Sequence, residues 1–229
     1  MNFFSVVTGA SSGIGREIAL ELAKKGRVIA LSRNTSNLDS LAKLNTNIMP
    51  ITFDLTKDSM EELGKKIEDI SPKINVLINN AGLLINKPFE ELTSADWDQQ
   101  FQVNLKAPAM LTSSLSNLLE KGKGHVVNIS SMGGFQGASK FPGLSAYSAT
   151  KAGLASLTEC LSTEWNSKGI SVNALCLGAV DTEMLAQAFP GFKAPVSAKK
   201  MGEFIADFAL NGNKYFNGKV LPVSLNDPA

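Results

Sequence analysis

Short apolar runs rich in Val and Ile alternate along this sequence with longer amphipathic segments, and this alternation constrains the fold more than any other feature. Each run is continuously apolar, which is typical of strands buried on both faces of a parallel sheet. The runs are FFSVVT, RVIALS, IMPITF, INVLINN, HVVNIS, ISVNALC and GKVLPVSL. Helical patterns lie at about 13–25, 36–45, 57–70, 95–120, 145–167 and 197–210. We therefore predict an α/β fold, a doubly wound parallel sheet of about seven strands with helices on both faces.

Length and charge favour one domain that acts on a small molecule. The chain of 229 residues has the length of one α/β domain, so we expect residues 1–229 to form a single domain. Its 22 Lys and Arg residues balance 21 Asp and Glu residues, which gives no global field to attract nucleic acid or an anionic membrane. The first residues lack a basic leader, and no apolar stretch reaches the length of about 18 residues that indicates a membrane span. We expect a cytoplasmic protein.

The cysteines and the single histidine argue against two enzyme classes. Cys160 and Cys176 have neither a CxxC nor a zinc spacing, so we interpret them as small core residues. His125 lies beside the apolar VVNI run, without a second histidine or a nearby acidic cluster. Neither a metal site nor a Ser-His-Asp triad is expected.

Local signals mark the ends of several helices. Lysine followed by glycine precedes three of the strands, at Gly26, Gly124 and Gly169, which predicts helix ends with a glycine in the left-handed conformation. The sequence TSADWD has capping-box spacing between Thr93 and Asp96, so the 95–120 helix should begin there.

Three glycines follow the first strand, at Gly9, Gly13 and Gly15 in VVTGASSGIGREIA. This spacing is neither the G-x-G-x-x-G fingerprint nor a P-loop. Glycines here permit a tight turn and close backbone approach, while free N–H groups at the helix start attract a pyrophosphate. A turn from strand to helix can also contain glycine for structural reasons alone. We favour a phosphate cradle.

The end of the second strand bears on the choice of dinucleotide. The sequence there is ALSRN, without an Asp or Glu to accept hydrogen bonds from a ribose 2′-hydroxyl. Arg33 could pair with a 2′-phosphate instead. This predicts NADP(H) as the preferred cofactor, with NAD(H) possible. The alternative is an arginine that is only solvated.

Tyr147 lies four residues before Lys151 in SAYSATKAG, which places both on one face of a helix. Such spacing alone is common on surfaces, where a lysine stem packs against a ring. The wider pattern carries more weight. With TGASSGIG at 8–15, NNAG at 79–82, Asn104 in VNLKAP, NISS at 128–131 and YSATK at 147–151, the chain resembles the single-domain short-chain dehydrogenase/reductase family over about residues 3–224.

The resemblance implies a Rossmann fold that binds NAD(P)(H), and hydride transfer between the nicotinamide and an alcohol or carbonyl carbon. In the implied catalytic group, Ser131 would hold the substrate oxygen and Tyr147 would supply or remove the proton. Lys151 would favour the phenolate and bind the nicotinamide ribose. Asn104 would hold a water that connects Lys151 to solvent. Alternatively, Asn104 is a buried polar residue of a helix. Ser130 competes with Ser131, and the motif selects the second serine.

By the same resemblance a larger set of residues would contact the cofactor. The set consists of Gly9, Ser11, Ser12, Gly13, Ile14, Gly15, Ser32, Arg33, Asp54, Leu55, Asn80, Ala81, Gly82, Tyr147, Lys151, Gly178, Val180 and Thr182. For Asp54 a structural cap is an alternative to adenine contact. Asn80, Ala81 and Gly82 would shape the end of the fourth strand and let the cofactor approach.

Two departures from the family pattern concern the substrate side and the backbone near the nicotinamide amide, in that order. The segment between Ser131 and Tyr147 has fifteen residues, which is longer than usual, and Leu177 stands where the family usually has proline. A substrate loop at about 179–197 contains Met184, Phe189 and Phe192, which suits a carbonyl or secondary alcohol with apolar bulk. These residues could instead form a lid core or a subunit interface.

The resemblance also bears on partners, because in the family the helices at 95–120 and 145–167 pair across subunits. A homodimer or homotetramer is therefore expected. As an alternative function we keep a non-catalytic NAD(P)-binding sensor or scaffold with the same fold.

Overall fold

In the computed structural model, which describes residues 3–225, every predicted apolar run contains a strand. The strands are β1 (Phe4–Thr8), β2 (Arg27–Ser32), β3 (Ile48–Thr52), β4 (Val76–Asn79), β5 (His125–Ser131), β6 (Ser171–Leu177), β7 (Val180–Asp181), β8 (Val196–Ser197) and β9 (Val220–Val223). The α-helices are α1 (Gly13–Ala23), α2 (Thr35–Leu44), α3 (Met60–Ile70), α4 (Ser94–Phe101), α5 (Ala107–Ser114), α6 (Ser116–Gly122), α7 (Ser145–Glu164), α8 (Glu183–Ala188) and α9 (Ala198–Asn211). The prediction of one domain over 1–229 stays a prediction, and residues 1, 2 and 226–229 of that range lie outside the described part.

Seven of the strands form one sheet, and all of its neighbours are parallel. The order is β3-β2-β1-β4-β5-β6-β9. The chain runs outward from β1 to one edge and then from β4 to the other edge, which is the doubly wound Rossmann topology. The predicted fold class is confirmed.

Two apolar layers cover the sheet, because successive strand residues point to opposite faces. In β1, Val7 joins the layer that contains α1, α2 and α9, whereas Val6 joins the layer that contains α3, α5 and α6. Both valines are fully buried. This arrangement explains why the strand sequences are continuously apolar. Because the seven strands are parallel, their carboxyl ends all lie at the same end of the sheet.

The long helix predicted at 95–120 is interrupted. It begins with the expected capping box between Thr93 and Asp96. A π-helical turn at Gln102–Lys106 then separates α4 from α5. Pro108 lies just beyond this turn and has no N–H to donate to the Asn104 carbonyl, which is a physical reason for the break.

The glycine prediction for helix ends was right at one of three positions. Gly169 has the left-handed φ of 70°. Lys123 itself takes that conformation at the second site, and Gly26 is not left-handed. A Cβ at Gly26 would collide with the backbone of Phe3, so close packing explains this glycine. Within residues 3–225, no helix is both long and apolar enough to span a membrane.

Candidate active site

The glycine loop between β1 and α1 packs directly against the end of β4. Gly9 has φ 66°, and a Cβ there would lie 3.0 Å from the Ala81 Cα and the Asn80 Nδ2. Gly15 leaves no room for a side chain against the Gly9 carbonyl. Asn80 Nδ2 donates to the Thr8 carbonyl at 3.0 Å. The loop therefore has a fixed shape that a larger residue would destroy.

Thr8 is a site residue that the sequence reasoning missed. Its Oγ1 accepts hydrogen bonds from the backbone N–H groups of Asn80 and Ala81, both at 3.0 Å, and donates to the Ile78 carbonyl at 3.3 Å. The one sequence signal was a threonine immediately before Gly9.

The start of α1 has the features of an anion site. Ser12 is the N-cap residue, and its side chain makes no capping hydrogen bond. The first turn contains no acidic residue. Gly13 has φ 54°, and a Cβ there would lie 3.7 Å from Thr182 Cγ2, so the segment after β7 comes close to the loop. The helix start thus combines its positive dipole with open backbone N–H groups.

The ends of β2 and β3 form the second part of the expected dinucleotide site. Ser32 Oγ donates to Ser11 Oγ at 2.8 Å, and Arg33 is exposed beside it. Asp54 accepts hydrogen bonds from the Thr56 N–H at 2.9 Å and the Thr56 hydroxyl at 2.7 Å, so it does cap a turn. Burial acts to raise the pKa of Asp54, but these two bonds and the positive charge of Arg33 hold the pKa below its usual value.

Ser131, Tyr147 and Lys151 come together where β5 meets α7. Lys151 Nζ lies 5.8 Å from the centre of the Tyr147 ring and donates to the Ile129 carbonyl at 2.8 Å. Ser131 ends β5, and its hydroxyl interacts with the Tyr147 phenol. The three side chains that the sequence selected are therefore neighbours.

The electrostatics of this group differ from the expectation. Burial raises the pKa of Tyr147 to about 12, with Ser131 lowering it in part. Burial also lowers the pKa of Lys151 to about 8. The expected stabilisation of the phenolate by Lys151 is therefore not the dominant effect in the chain alone, because desolvation penalises the charged form of both residues.

Ser130 also reaches α7, through the backbone of Lys151. Its hydroxyl donates to the Lys151 carbonyl at 2.9 Å, whereas Ser131 accepts from the Gly133 N–H at 3.2 Å. The two serines therefore have separate partners, and only Ser131 interacts with the phenol.

Asn104 is fully buried in the π-helical turn. Its Nδ2 donates to the Leu83 carbonyl at 2.8 Å and to Thr150 Oγ1 at 3.1 Å, while its Oδ1 accepts from the Leu83 N–H at 2.8 Å. A Cβ at Gly82 would lie 3.5 Å from both Asn104 Oδ1 and Lys151 Nζ. Asn104 is thus beside the lysine, with both amide hydrogens already used.

The predicted substrate loop, residues 179–197, is held at its base by a short parallel ladder that the sequence did not indicate. Val180 pairs with Val196 in the β7–β8 pair. Thr182 begins α8 by accepting from the Leu185 N–H at 3.3 Å. Among the apolar residues of this loop, Met184 is 40% and Phe192 is 55% exposed.

The residues around the end of β6 are tightly packed. Leu177 is the last residue of β6 and pairs with both Ser131 and Val223, so the residue that replaces the usual proline is fixed by the sheet. A Cβ at Gly178 would lie 2.5 Å from Ser224 Oγ. Gly178 therefore has a packing role, whatever it contributes to cofactor binding.

The long 132–144 loop, together with residues 88–90, borders an open groove of about 790 Å³ on a different side of α7. Ser145, Ser148, Ala149 and Ala152 line it on the helix. None of the four candidate catalytic residues does so. At the end of the loop, the Gly143 carbonyl accepts from the Lys87 N–H at 3.1 Å. That the loop lines the substrate side stays a prediction.

Comparisons with known proteins agree with this architecture. A family model described as short chain dehydrogenase matches residues 4–191. An uncharacterized oxidoreductase from Staphylococcus epidermidis is 31% identical over 217 residues, which cover 93% of each chain. L-xylulose reductase from Caenorhabditis elegans is 39% identical over 186 residues, which cover 78% of this chain and 72% of that protein. Gluconate 5-dehydrogenase from Gluconobacter oxydans is 33% identical over 190 residues, which cover 79% and 72%.

A solved structure described as ribose-5-phosphate isomerase from Brucella melitensis 16M has the same fold. It is 29% identical, with a TM-score of 0.88 and coverage of 97% of this chain and 92% of that chain. Because one fold carries several chemistries, the family match and the oxidoreductase relatives carry more functional weight than this likeness. The chain belongs to the short-chain dehydrogenase/reductase family of oxidoreductases.

Proposed function

We propose that this protein is an NADP(H)-dependent oxidoreductase that interconverts a carbonyl and a secondary alcohol. The observation that carries the proposal is the buried Lys151 ammonium 5.8 Å from the Tyr147 ring, with Ser131 beside the phenol. Buried ionisable groups of this kind cluster at functional sites. The three residues lie at the carboxyl edge of the sheet, where α/β proteins of this topology bind ligands.

The residues present fit a dinucleotide. Side chains at Gly9 or Gly15 would fill the space against the end of β4, and the uncapped start of α1 offers N–H groups to a pyrophosphate. We assign cofactor contact to the set of residues given above. When bound, the nicotinamide supplies or accepts the hydride.

The chain's own residues manage the proton and the oxygen. Ser131 would donate a hydrogen bond to the substrate oxygen as negative charge develops on it. Tyr147, whose pKa burial raises to about 12, is a neutral phenol near pH 7 and therefore a proton donor. Lys151 has a pKa of about 8 and is still mainly cationic there, so it would stabilise the phenolate that forms.

Asn104 would hold the relay water through an acceptor. Its two amide hydrogens already bond to Leu83 and Thr150. The second lone pair of Oδ1 is the acceptor left for a water on this side chain, and the backbone carbonyl receives no N–H from Pro108.

The NADP(H) preference is supported by Arg33. It is exposed at the end of β2 beside Ser32, and its charge acts on Asp54 at the end of β3. The end of β2 has no carboxylate for a ribose 2′-hydroxyl. A guanidinium is suited to bidentate contact with a phosphate.

For the substrate we propose a carbonyl or alcohol with apolar bulk, on the strength of Met184 and Phe192 in the substrate loop. Two relatives are an L-xylulose reductase and a gluconate 5-dehydrogenase, so polyhydroxylated compounds are the main alternative. A panel of both kinds, followed by the absorbance of reduced nicotinamide in both directions, tests the proposal. The non-catalytic alternative gains support if no compound reacts while NADPH binds.

We further propose assembly through α4, α5 and α7. The outer face of α7 carries the exposed small residues Ala149, Ala152 and Ser156, and Phe101 and Met110 are 51% and 46% exposed. Small residues let helices approach closely, and large exposed apolar side chains favour burial against a partner. Sedimentation of the protein with Ala152→Glu, compared with the wild type, tests for the expected homodimer or homotetramer.

A further inference from the structure

Three polar side chains on one face of α4 and the following turn hold an extended segment of chain, residues 83–87. The side chains are spaced four residues apart and bind positions spaced two apart: Asn104 with Leu83, Gln100 with Ile85, and Asp96 with Lys87. Four helical residues rise about 6 Å and two extended residues span about 6.6 Å. The two spacings agree, so the segment runs antiparallel to the helix in register.

Gln100 is the central residue of this ladder and is fully buried. Its Oε1 accepts from the Ile85 N–H at 3.2 Å. Its Nε2 has no hydrogen-bond partner in the structure. A buried amide group with an unpaired donor is costly, and an apolar side chain would avoid that cost. The bond to Ile85 is therefore the one polar contact of this side chain that can offset its burial.

The segment that Gln100 holds connects three parts of the candidate site. At its start, Gly82 lies against Asn104 and Lys151. Near its end, the Lys87 N–H donates to the Gly143 carbonyl of the long loop. Between them, Asn86 Nδ2 donates to the Ala188 carbonyl at 2.9 Å. Ala188 is the last residue of α8 in the predicted substrate loop.

We propose that Gln100 is a positioning residue for the substrate loop. By binding Ile85 it keeps residues 83–87 extended along α4, and Asn86 is thereby placed to hold the end of α8. This inference rests on the proposed function, because the position of α8 affects catalysis only if a substrate binds next to α8. Gln100 itself touches neither substrate nor cofactor.

The first test is the variant Gln100→Met, with Gln99→Met as the matched control on the exposed side of the same helix. Losing a hydrogen bond to a buried N–H should raise KM about tenfold, with a smaller change in kcat. Gln99→Met should behave as the wild type.

The second variant, Gln100→Glu, asks whether the acceptor oxygen matters. Because Nε2 has no partner, a protonated glutamic acid would replace the amide without losing a bond. Burial raises the pKa of such a carboxyl group, and the charged groups around this stretch are the paired Lys87 and Asp96 and, beyond Asn104, Lys151. KM should stay within about twofold of the wild type at low pH, where the carboxyl is neutral and one of its oxygens accepts from the Ile85 N–H. If Gln100 only fills space, Gln100→Met and Gln100→Glu should have the same KM at low pH.

Hydrogen exchange tests the proposal independently of any reaction. Gln100→Met should speed exchange in both segments, 83–88 and 183–189, without changing β5. Asn86→Ala should speed exchange in 183–189 alone, since it breaks only the later link. These results would stand even if no substrate were found, whereas an inactive protein with the expected exchange would count only against the proposed function. Unchanged exchange in 183–189 for both variants would overturn the inference, as would an unchanged KM in Gln100→Met.

Discussion

Lys151 Nζ lies 5.8 Å from the centre of the Tyr147 ring and donates a 2.8 Å hydrogen bond to the Ile129 carbonyl. Helix α7 therefore turns both side chains toward β5, and the strand backbone fixes the ammonium. Lys151 is only 3% exposed. Burial raises the pKa of Tyr147 to about 12 and lowers that of Lys151 to about 8. Desolvation therefore penalises the charged form of both groups, so near pH 7 the phenol is neutral and the amine is mainly protonated.

Replacing Tyr147 by Phe should remove the proton donor and leave the packing nearly intact. Loss of a general acid lowers kcat by about 10²–10⁴-fold. NADPH affinity, measured by fluorescence titration, should change little. The matched control is Tyr215→Phe, because Tyr215 is the other tyrosine and is 80% exposed. Turnover of Tyr147→Phe at the wild-type rate would sink the proposed mechanism.

The lowered pKa of Lys151 predicts a pH-dependent stability. An unfolded lysine titrates near 10.5 and the folded one near 8, so the unfolded chain binds more protons between these values. The free energy of unfolding should therefore rise with pH in that window. Relative to Lys151→Met, the wild type should gain about 2–3 kcal/mol between pH 8 and pH 10. Urea denaturation at several pH values measures this, and a constant difference between the two proteins would contradict the shift.

Much of the fold could be predicted from sequence because its signals are local. Continuous apolar runs located all seven strands of the main sheet, and the capping box located the start of α4. The Tyr147–Lys151 spacing required only that the segment be helical, and α7 begins two residues before Tyr147. Their joint placement beside Ser131 follows from the parallel topology.

Other features depend on contacts that are distant in sequence. The β7–β8 pair has two residues in each strand, too few for any periodicity. The ladder bond between Gln100 and Ile85 needs the path of the chain after β4. The pKa of Tyr147 was expected to fall because of a nearby ammonium, but burial raises it to about 12, and the opposing effect comes from the Ser131 hydrogen bond. The roles of the site residues stay predictions.

Arg33 should govern the choice between NADPH and NADH. Loss of a charge-assisted contact to a phosphate should weaken NADPH about 10–100-fold and leave NADH nearly unchanged. Arg27→Ala is the matched control. Arg27 is also exposed, but it lies at the amino end of β2, whereas Arg33 follows the carboxyl end of the same strand. The test is to measure the dissociation constants of the wild type and both variants for NADPH and for NADH. Equal weakening of NADPH and NADH in Arg33→Ala would count against the preference.

His125 should make the fold sensitive to acid. It is fully buried, its Nδ1 lies 3.0 Å from the Ala209 carbonyl, and its Nε2 accepts from Asn173 Nδ2 at 2.9 Å. Burial lowers its pKa to about 4, against a small opposing effect of the Ala209 bond. A proton on Nε2 would face the Asn173 amide hydrogen, so the imidazole stays neutral in the fold.

This lowered pKa fixes the sign of the effect. Between pH 6.5 and pH 4 the unfolded chain binds a proton that the folded chain does not, so stability is lost as the pH falls, by up to roughly 3 kcal/mol. His125→Gln cannot titrate, and its unfolding free energy should decline less over that window. Because this is the one histidine of the chain, its imidazole NMR signals report the pKa directly. An imidazole that titrates near 6.5 in the folded protein would refute the prediction.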